Sequence, residues 1–246
     1  MSTARAPSHP RPAEPPLLTG PFVALMYAPF LQGLGYASMV LLPVYLDFLG
    51  ATRGQVGLFM AAGSVGGLLS RPGVGWALDR FRREHVLLVG TAILAIGVAS
   101  IGWIDRLEPL LWVSRFLVGI GSGVRFTGDF TMAGDLIPVS RRTEGIALFG
   151  VSGLLPLAAN ALVGRIGIEP SALAGIYPIV ATLLAGLVLF LIPLSEPPRD
   201  PSVPPVPLRE TLRALGTRKL WPERVTAIDG RRTAPTPVGT RVLVLT

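Results

Sequence analysis

The side chains of this sequence best placed to do chemistry are charges that lie inside long apolar segments. Arg115 lies about a third of the way into the apolar run 109–132. A charge at such a position is costly unless it faces a protein interior or a water-filled cavity. The position therefore predicts contact with an anionic group or control of a proton-binding acid. The alternative is a structural arginine that is paired within a bundle of helices.

Two further charges in the same run are Arg125 and Asp129, which are four residues apart and share one face of a helix. Their opposite charges are able to neutralise one another. Arg71 lies near the inner end of the preceding run 54–77, and this position is compatible with Arg71 joining the pair. We interpret these three residues mainly as part of a structural charge cluster at the cytoplasmic end, to which Asp135 and Arg142 also belong. Asp47, at the end of the first apolar run, is either a solvated end residue or a coupling residue.

A dense group of charges also separates two of the apolar runs. The segment from Gly75 to Arg83 reads Gly-Trp-Ala-Leu-Asp-Arg-Phe-Arg-Arg and includes Asp79 and Arg80. Its position predicts a nine-residue loop, a hairpin turn on the cytoplasmic side of a membrane. The acid inside the basic group indicates a specific role beyond marking orientation.

The composition shows which elements must position these charges. The chain has 246 residues, of which 50% are hydrophobic and only 15% are charged, whereas soluble domains carry about 25% charged residues. A helix needs roughly 20 mainly apolar residues to span a bilayer. Six such runs are present, at about 21–48, 54–77, 86–104, 109–132, 144–164 and 170–194. We predict an all-α membrane protein, a six-transmembrane-helix bundle whose short links make neighbouring helices antiparallel.

The basic residues indicate the orientation of this bundle. The net charge is +7. Most arginines lie in the links after the second and the fourth apolar run or in the two terminal segments. Because basic residues accumulate on the cytoplasmic side, both termini are predicted to be cytoplasmic. The lipid bilayer of the inner (plasma) membrane is then the expected surrounding. Nucleic acid is excluded as a partner, because the runs leave no basic folded domain with aromatic residues.

The chain divides into three parts. Residues 1–20 are predicted to be a disordered cytoplasmic arm without a cleavable signal peptide, and residues 21–194 form the bundle. Residues 195–246 are expected to contain a proline-rich linker, a short basic amphipathic helix at 208–221 and a polar cytoplasmic tail.

Glycine and proline positions give two expectations about packing. The first run contains Pro29, Gly33, Gly35 and Pro43, which fits either a tightly packed helix or a bending helix that lines a pathway. Glycine pairs four residues apart, Gly63 with Gly67 and Gly119 with Gly123, predict close approach between helix backbones.

The sequence lacks the residues that the enzyme activities suggested by its motifs require. Ser152 lies in a Gly-Val-Ser-Gly segment that imitates an intramembrane serine protease, but no histidine lies in a later run to accept its proton. The single lysine, Lys219, does not follow a glycine as a phosphate-binding loop requires. The chain has no cysteine, so thiolate metal sites are excluded. We predict no enzyme activity, no cofactor and no metal.

Three segments resemble a known family. Gly75, Asp79, Arg80 and Arg83 match the signature between helices two and three of the major facilitator superfamily, from which Arg82 and Glu84 depart. Arg115 with the glycines that follow it resembles the fourth helix of that family. The segment from Asp135 to Gly145, which includes Arg142, resembles the loop before the fifth helix. Asn160 stands where antiporter members usually have proline, which argues against drug/proton antiport.

The resemblance implies a secondary transporter that works by alternating access between two six-helix halves. It assigns Asp79 and Arg80 to a cytoplasmic gate, in which the aspartate contacts the second half, and it makes Arg115 the best pathway residue. This chain contains one half, so we expect two copies to pair, a separate chain to supply the partner, or the product to be truncated. The alternative is a non-transporting remnant or a helix-bundle interaction module. The substrate, direction and coupling ion stay open.

Overall fold

The computed structural model describes residues 15–163 and 167–191, and its regular elements there are helices. The seven α-helices are α1 (Gly20–Tyr36), α2 (Leu42–Phe48), α3 (Arg53–Arg80), α4 (Arg83–Gly102), α5 (Pro109–Leu136), α6 (Arg142–Val163) and α7 (Leu173–Leu191). They occupy the six predicted apolar runs, because α1 and α2 share the first. The predicted tail 195–246 and most of the arm 1–20 lie outside the described residues.

The first apolar run is not one continuous helix. A 3₁₀-helix, Ala37–Leu41, separates α1 from α2, and Pro43 lies in the first turn of α2. Proline is tolerated there because the first turn leaves backbone N–H groups without helical partners anyway. The run is thus interrupted between α1 and α2, and it also packs closely on α6, since a Cβ on Gly33 would lie 2.7 Å from the Pro156 side chain. Both expectations for this run, including the lining of a pathway, stay predictions.

The helix α3 starts at a capping box. Thr52 Oγ1 accepts a hydrogen bond from the Gln55 backbone N–H at 3.3 Å, and Gln55 Oε1 accepts one from the Thr52 backbone N–H at 2.8 Å. The two side chains thereby satisfy donors that a helix start leaves without partners. Just before this cap, Gly50 takes a φ of 87°, a value that glycine adopts without steric cost.

The other end of α3 corrects the predicted loop. The helix continues through Asp79 to Arg80, and α4 begins at Arg83, so the connection is Phe81 and Arg82 rather than nine residues. The charges are compatible with a helix that extends past its apolar part, and Arg80 in the last turn interacts favourably with the helix dipole. We call the end of the bundle that carries Asp79 and Arg80 the motif end.

Apolarity differs among the helices. Within the described residues, two segments are long and apolar enough by themselves to cross a bilayer, Gly20–Phe48 and Arg83–Gly102. The central helix α5 does not reach this level, since it carries three buried charges, Arg115, Arg125 and Asp129, as well as several glycines.

Glycines bring α5 into backbone contact with α3. A Cβ atom added to Gly119 would collide with the backbone carbonyl of Gly63, and one added to Gly123 would lie 2.9 Å from the carbonyl oxygen of Gly67. Both predicted glycine pairs thus lie in the same helix crossing, which confirms the expected close approach.

The opposite side of α5 packs equally closely on α4. A Cβ atom on Gly97 would lie 2.8 Å from the backbone nitrogen of Val118, and one on Gly121 would lie 2.5 Å from that of Leu94. Beyond this contact, α4 packs on α7, α7 on α1, and α1 on α6. The helix α5 is therefore enclosed on both sides, so its charged side chains Arg115, Arg125 and Asp129 are buried inside the bundle.

We expect Gly119→Ala to destabilise the bundle by about 1–3 kcal/mol, because the added methyl group must push α3 and α5 apart. The matched control is Gly134→Ala in the same helix, since nothing lies within 4 Å of a Cβ at Gly134. The control should be neutral or more stable by up to about 1 kcal/mol, the helix propensity of alanine over glycine. Unfolding midpoints in detergent measure both variants, and equal midpoints would contradict the proposed backbone contact.

Candidate functional site

The charges Arg125 and Asp129 form a buried ion pair. Arg125 Nη2 lies 2.9 Å from Asp129 Oδ2, and the two residues are only 1% and 4% exposed. Arg125 Nε also donates a hydrogen bond of 3.0 Å to Gln32 Oε1 on α1. The geometry agrees with the predicted neutralisation, and the pair connects α5 to α1 through the amide of Gln32, which the sequence pattern does not single out.

Arg71 does not join this pair. It is exposed on α3, and the ion pairs recorded for the described residues do not include it. Within the predicted cluster, Arg125 and Asp129 therefore form a pair with an amide partner, whereas Asp135 pairs with Arg83. The signal for Gln32 in the sequence was weak, although it is the one amide side chain in α1.

Arg115 lies ten residues before Arg125 on α5 and is 7% exposed. Its guanidinium group fills the space beside Gly63, where an added Cβ would lie 2.7 Å from Cζ. It also interacts electrostatically with the Tyr177 hydroxyl of α7. Gly63 thus has a second role, because its missing side chain makes room for the arginine.

Two tyrosines extend the surroundings of Arg115. The rings of Tyr45 and Tyr177 meet edge to face with centroids 5.6 Å apart, and the Tyr45 hydroxyl donates a hydrogen bond of 2.9 Å to the carbonyl of Ile104. The Tyr177 hydroxyl is buried without a hydrogen-bond partner among the described residues. A cation with a nearby hydroxyl donor is suited to an anionic group.

The motif end is connected by a second ion pair. Arg83, the first residue of α4, pairs with Asp135 near the end of α5. Two residues after Asp135, Ile137 fills the space beside Gly145 in α6, 2.5 Å from where a Cβ would lie. The third family-like segment therefore contacts α4 at its start and closes on α6 at its end.

The remaining predicted residues lie at helix ends. Gly75 and Asp79 are four residues apart on the last turns of α3, and Asp79 and Arg80 are exposed, as is Arg142 at the start of α6. Asp47 is exposed at the end of α2. These positions agree with a solvated end for Asp47 and with a surface position for the gate residues, whose roles stay predictions.

The surface has the reverse of the usual polarity. Charges are enclosed at the centre of α5, while large apolar side chains such as Leu68 on α3, Ile96 on α4 and Leu183 on α7 are more than half exposed. An apolar exterior around buried charges is typical of a helical protein in a lipid bilayer. The fold and the site are thus those of a helical membrane protein with charges enclosed in its bundle.

Comparison with known proteins identifies the family. Residues 21–230 match the model of the Major Facilitator Superfamily, and the chain belongs to this family. The resemblance of the three segments is thereby confirmed. As a member of this family of transporters, the chain is an integral membrane protein and not an enzyme.

Individual relatives share part of their length with this chain. It is 26% identical over 187 residues to probable anion transporter 7 of Oryza sativa subsp. japonica and 23% identical over 185 residues to multidrug resistance protein 1 of Bacillus subtilis (strain 168). The matches cover 74% and 75% of this chain but 43% and 46% of those relatives. The chain thus spans about half the length of the curated relatives it matches.

A solved structure shows the same fold. The crystal structure of the human organic anion transporter MFSD10 (TETRAN) matches with a TM-score of 0.58 at 19% identity, covering 77% of this chain and 51% of that protein. At this identity the match supports the arrangement of the helices.

We expect the charge reversal Asp135→Arg to lower stability by about 1 kcal/mol, since the pair with Arg83 is only partly exposed and the variant places two cations together. The double variant Arg83→Asp with Asp135→Arg restores the pair and should recover most of the loss. Thermal unfolding in detergent gives the comparison. The exposed Arg106→Gln variant is the control and should match the unchanged protein, whereas equal losses in the single and double variants would argue against the pairing.

Proposed function

We propose that this chain forms one six-helix half of a secondary active transporter that moves a small anionic solute by alternating access. The carrying observation is Arg115, a buried guanidinium group in the second turn of α5 that fills the space beside Gly63. A buried cation in a membrane helix is a favourable contact for an anionic group. The names of the rice relative and the human structure, both described as anion transporters, point to the same substrate class.

The lengths and links of the helices support the proposal of six membrane crossings. The segment α1–α2 and the helices α3 to α7 each have about the length that a bilayer requires. The connections Phe81–Arg82 and 137–141 are too short for anything but a return into the membrane. Both termini then lie on the motif-end side, which the basic residues make cytoplasmic in the inner (plasma) membrane.

The second half is the main partner that this proposal requires. The helices α3 and α6 each expose one apolar face, with Leu58, Val65 and Leu69 on α3 and Val151 and Leu155 on α6. Such faces suit contact with another helix bundle as well as lipid. Another copy of this chain or a separate six-helix chain would supply that bundle, with Asp79 and Arg80 at the gate facing it.

The orientation is tested by reporters at the two ends of the chain. We expect a reporter before residue 1 and one after residue 246 to report the same, cytoplasmic side, because an even number of crossings returns the chain to its starting side. Protease protection in sealed membrane vesicles gives the readout. Reporters on opposite sides would contradict the six crossings.

Transport is tested by anion uptake into proteoliposomes. We expect uptake of labelled methanesulfonate or inorganic phosphate when the chain pairs with a second half, a loss of at least about tenfold for Arg115→Ala, and partial retention for Arg115→Lys, which keeps the charge. The control is Arg53→Ala, an exposed arginine at the start of α3.

The result that overturns the transport proposal is the absence of uptake with every partner tested. If cross-linking then still captured a dimer, the interaction module would be the better description of the chain.

A further inference from the structure

The cluster of Gln32, Arg125 and Asp129 has hydrogen-bonding capacity that the described residues leave unused. Arg125 Nη1 and Asp129 Oδ1 are buried and have no hydrogen-bond partner among those residues. Such atoms are rare in native proteins, and each needs an explanation. Here the N–H donor of Arg125 Nη1 and the acceptor oxygen Asp129 Oδ1 are unused in a single ion pair. A ligand that satisfies both must supply a hydrogen-bond acceptor for the arginine and a proton or hydrogen-bond donor for the aspartate.

The charge balance restricts what this ligand is. A buried pair tolerates the loss of one charge poorly, since the remaining charge is left without compensation. Protonation of Asp129 alone would leave the Arg125 cation isolated, and an anion beside the intact pair would add an unbalanced negative charge. When a proton and an anion enter together, the net charge of the cluster stays the same. Each therefore favours the binding of the other.

The charged groups on the surrounding helices form no recorded ion pair with this cluster among the described residues. The helix α1 has no charged side chain and contributes Gln32. Arg71 lies within α3 but is exposed. The other titratable and charged residues of the packed helices lie at helix ends or belong to the site around Arg115: Arg53, Asp79 and Arg80 on α3; Arg83, Glu84 and His85 on α4; Arg142 and Glu144 on α6; Tyr177 on α7; and Arg115 and Asp135 on α5 itself. Tyr27 on α1 is 61% exposed.

We propose that the cluster of Gln32, Arg125 and Asp129 is a proton-linked anion site, which takes up one proton and one anionic group together. The proton adds to Asp129 Oδ1 and forms an O–H bond, and no other covalent bond changes. The anionic group accepts hydrogen bonds from the Arg125 guanidinium released from the carboxylate. Gln32 keeps the arginine oriented through its bond to Nε. The inference rests on the proposed function. It adds the coupling ion, a proton, and a second anion contact on α5 in addition to Arg115.

The test measures binding and proton uptake on the purified full chain in lipid nanodiscs. The probe is methanesulfonate, which keeps a fixed negative charge near neutral pH, so any proton taken up belongs to the protein. We expect about one proton per bound anion from a weakly buffered solution, and a dissociation constant that rises about tenfold per pH unit while Asp129 is ionised.

Two variants separate the roles of the pair. Asp129→Asn should bind methanesulfonate without proton uptake and with a dissociation constant independent of pH. Arg125→Gln with Asp129→Asn removes both charges, so it avoids an uncompensated buried ion, and it should lose proton uptake together with the pH-dependent part of methanesulfonate binding. The control is Asp105→Asn, a carboxylate whose side chain is 89% exposed, which should behave like the unchanged chain.

Three results would overturn the proposal. They are anion binding without proton uptake by the unchanged chain, unchanged proton uptake by Asp129→Asn, and the absence of methanesulfonate binding to the folded chain. Binding that Arg115→Gln abolishes but the double variant keeps would place the anion at Arg115 alone. That result would sink this inference and leave the proposed transport standing.

Discussion

The close approach of the α5 backbone to α3 is the contact on which the remaining structure depends. Lipid gives helices no hydrophobic drive to associate, so their contacts depend on van der Waals packing and on polar groups. Gly119 and Gly63 allow the two backbones to touch, and the absence of a side chain at Gly63 leaves the space that Arg115 fills. Packing and charge placement are therefore a single property of this crossing.

The polar contacts fix the register of neighbouring helices, which apolar packing alone does not fix. Apolar contacts are tolerant of sliding, whereas a hydrogen bond or an ion pair requires particular atoms to meet. Gln32 and Arg125 set the register of α1 against α5, and Arg83 and Asp135 set that of α4 against α5. Because both contacts share α5, three helices are aligned to one reference.

The sequence predicted what depends on neighbouring residues. Arg125 and Asp129 were paired correctly because four residues make nearly one helical turn, and the glycine pairs were recognised by the same spacing. The bond from Arg125 to Gln32 joins residues 93 positions apart, so it depends on which helices are adjacent, which spacing does not encode. Arg71 was misplaced for the same reason. The length of the charged segment after Gly75 was misjudged because charge density resembles a loop even where the helix continues.

The two-residue connection between α3 and α4 has a mechanical consequence. Phe81 and Arg82 are the residues outside helical geometry between Arg80 and Arg83, and Phe81 rests edge to face on Trp76 with ring centroids 5.7 Å apart. So short a link has no slack, and torque applied to the end of α3 is transmitted to α4 instead of being absorbed by a flexible loop. A force acting on Asp79 would then reach the start of α4 directly and, through the pair of Arg83 with Asp135, the end of α5 as well.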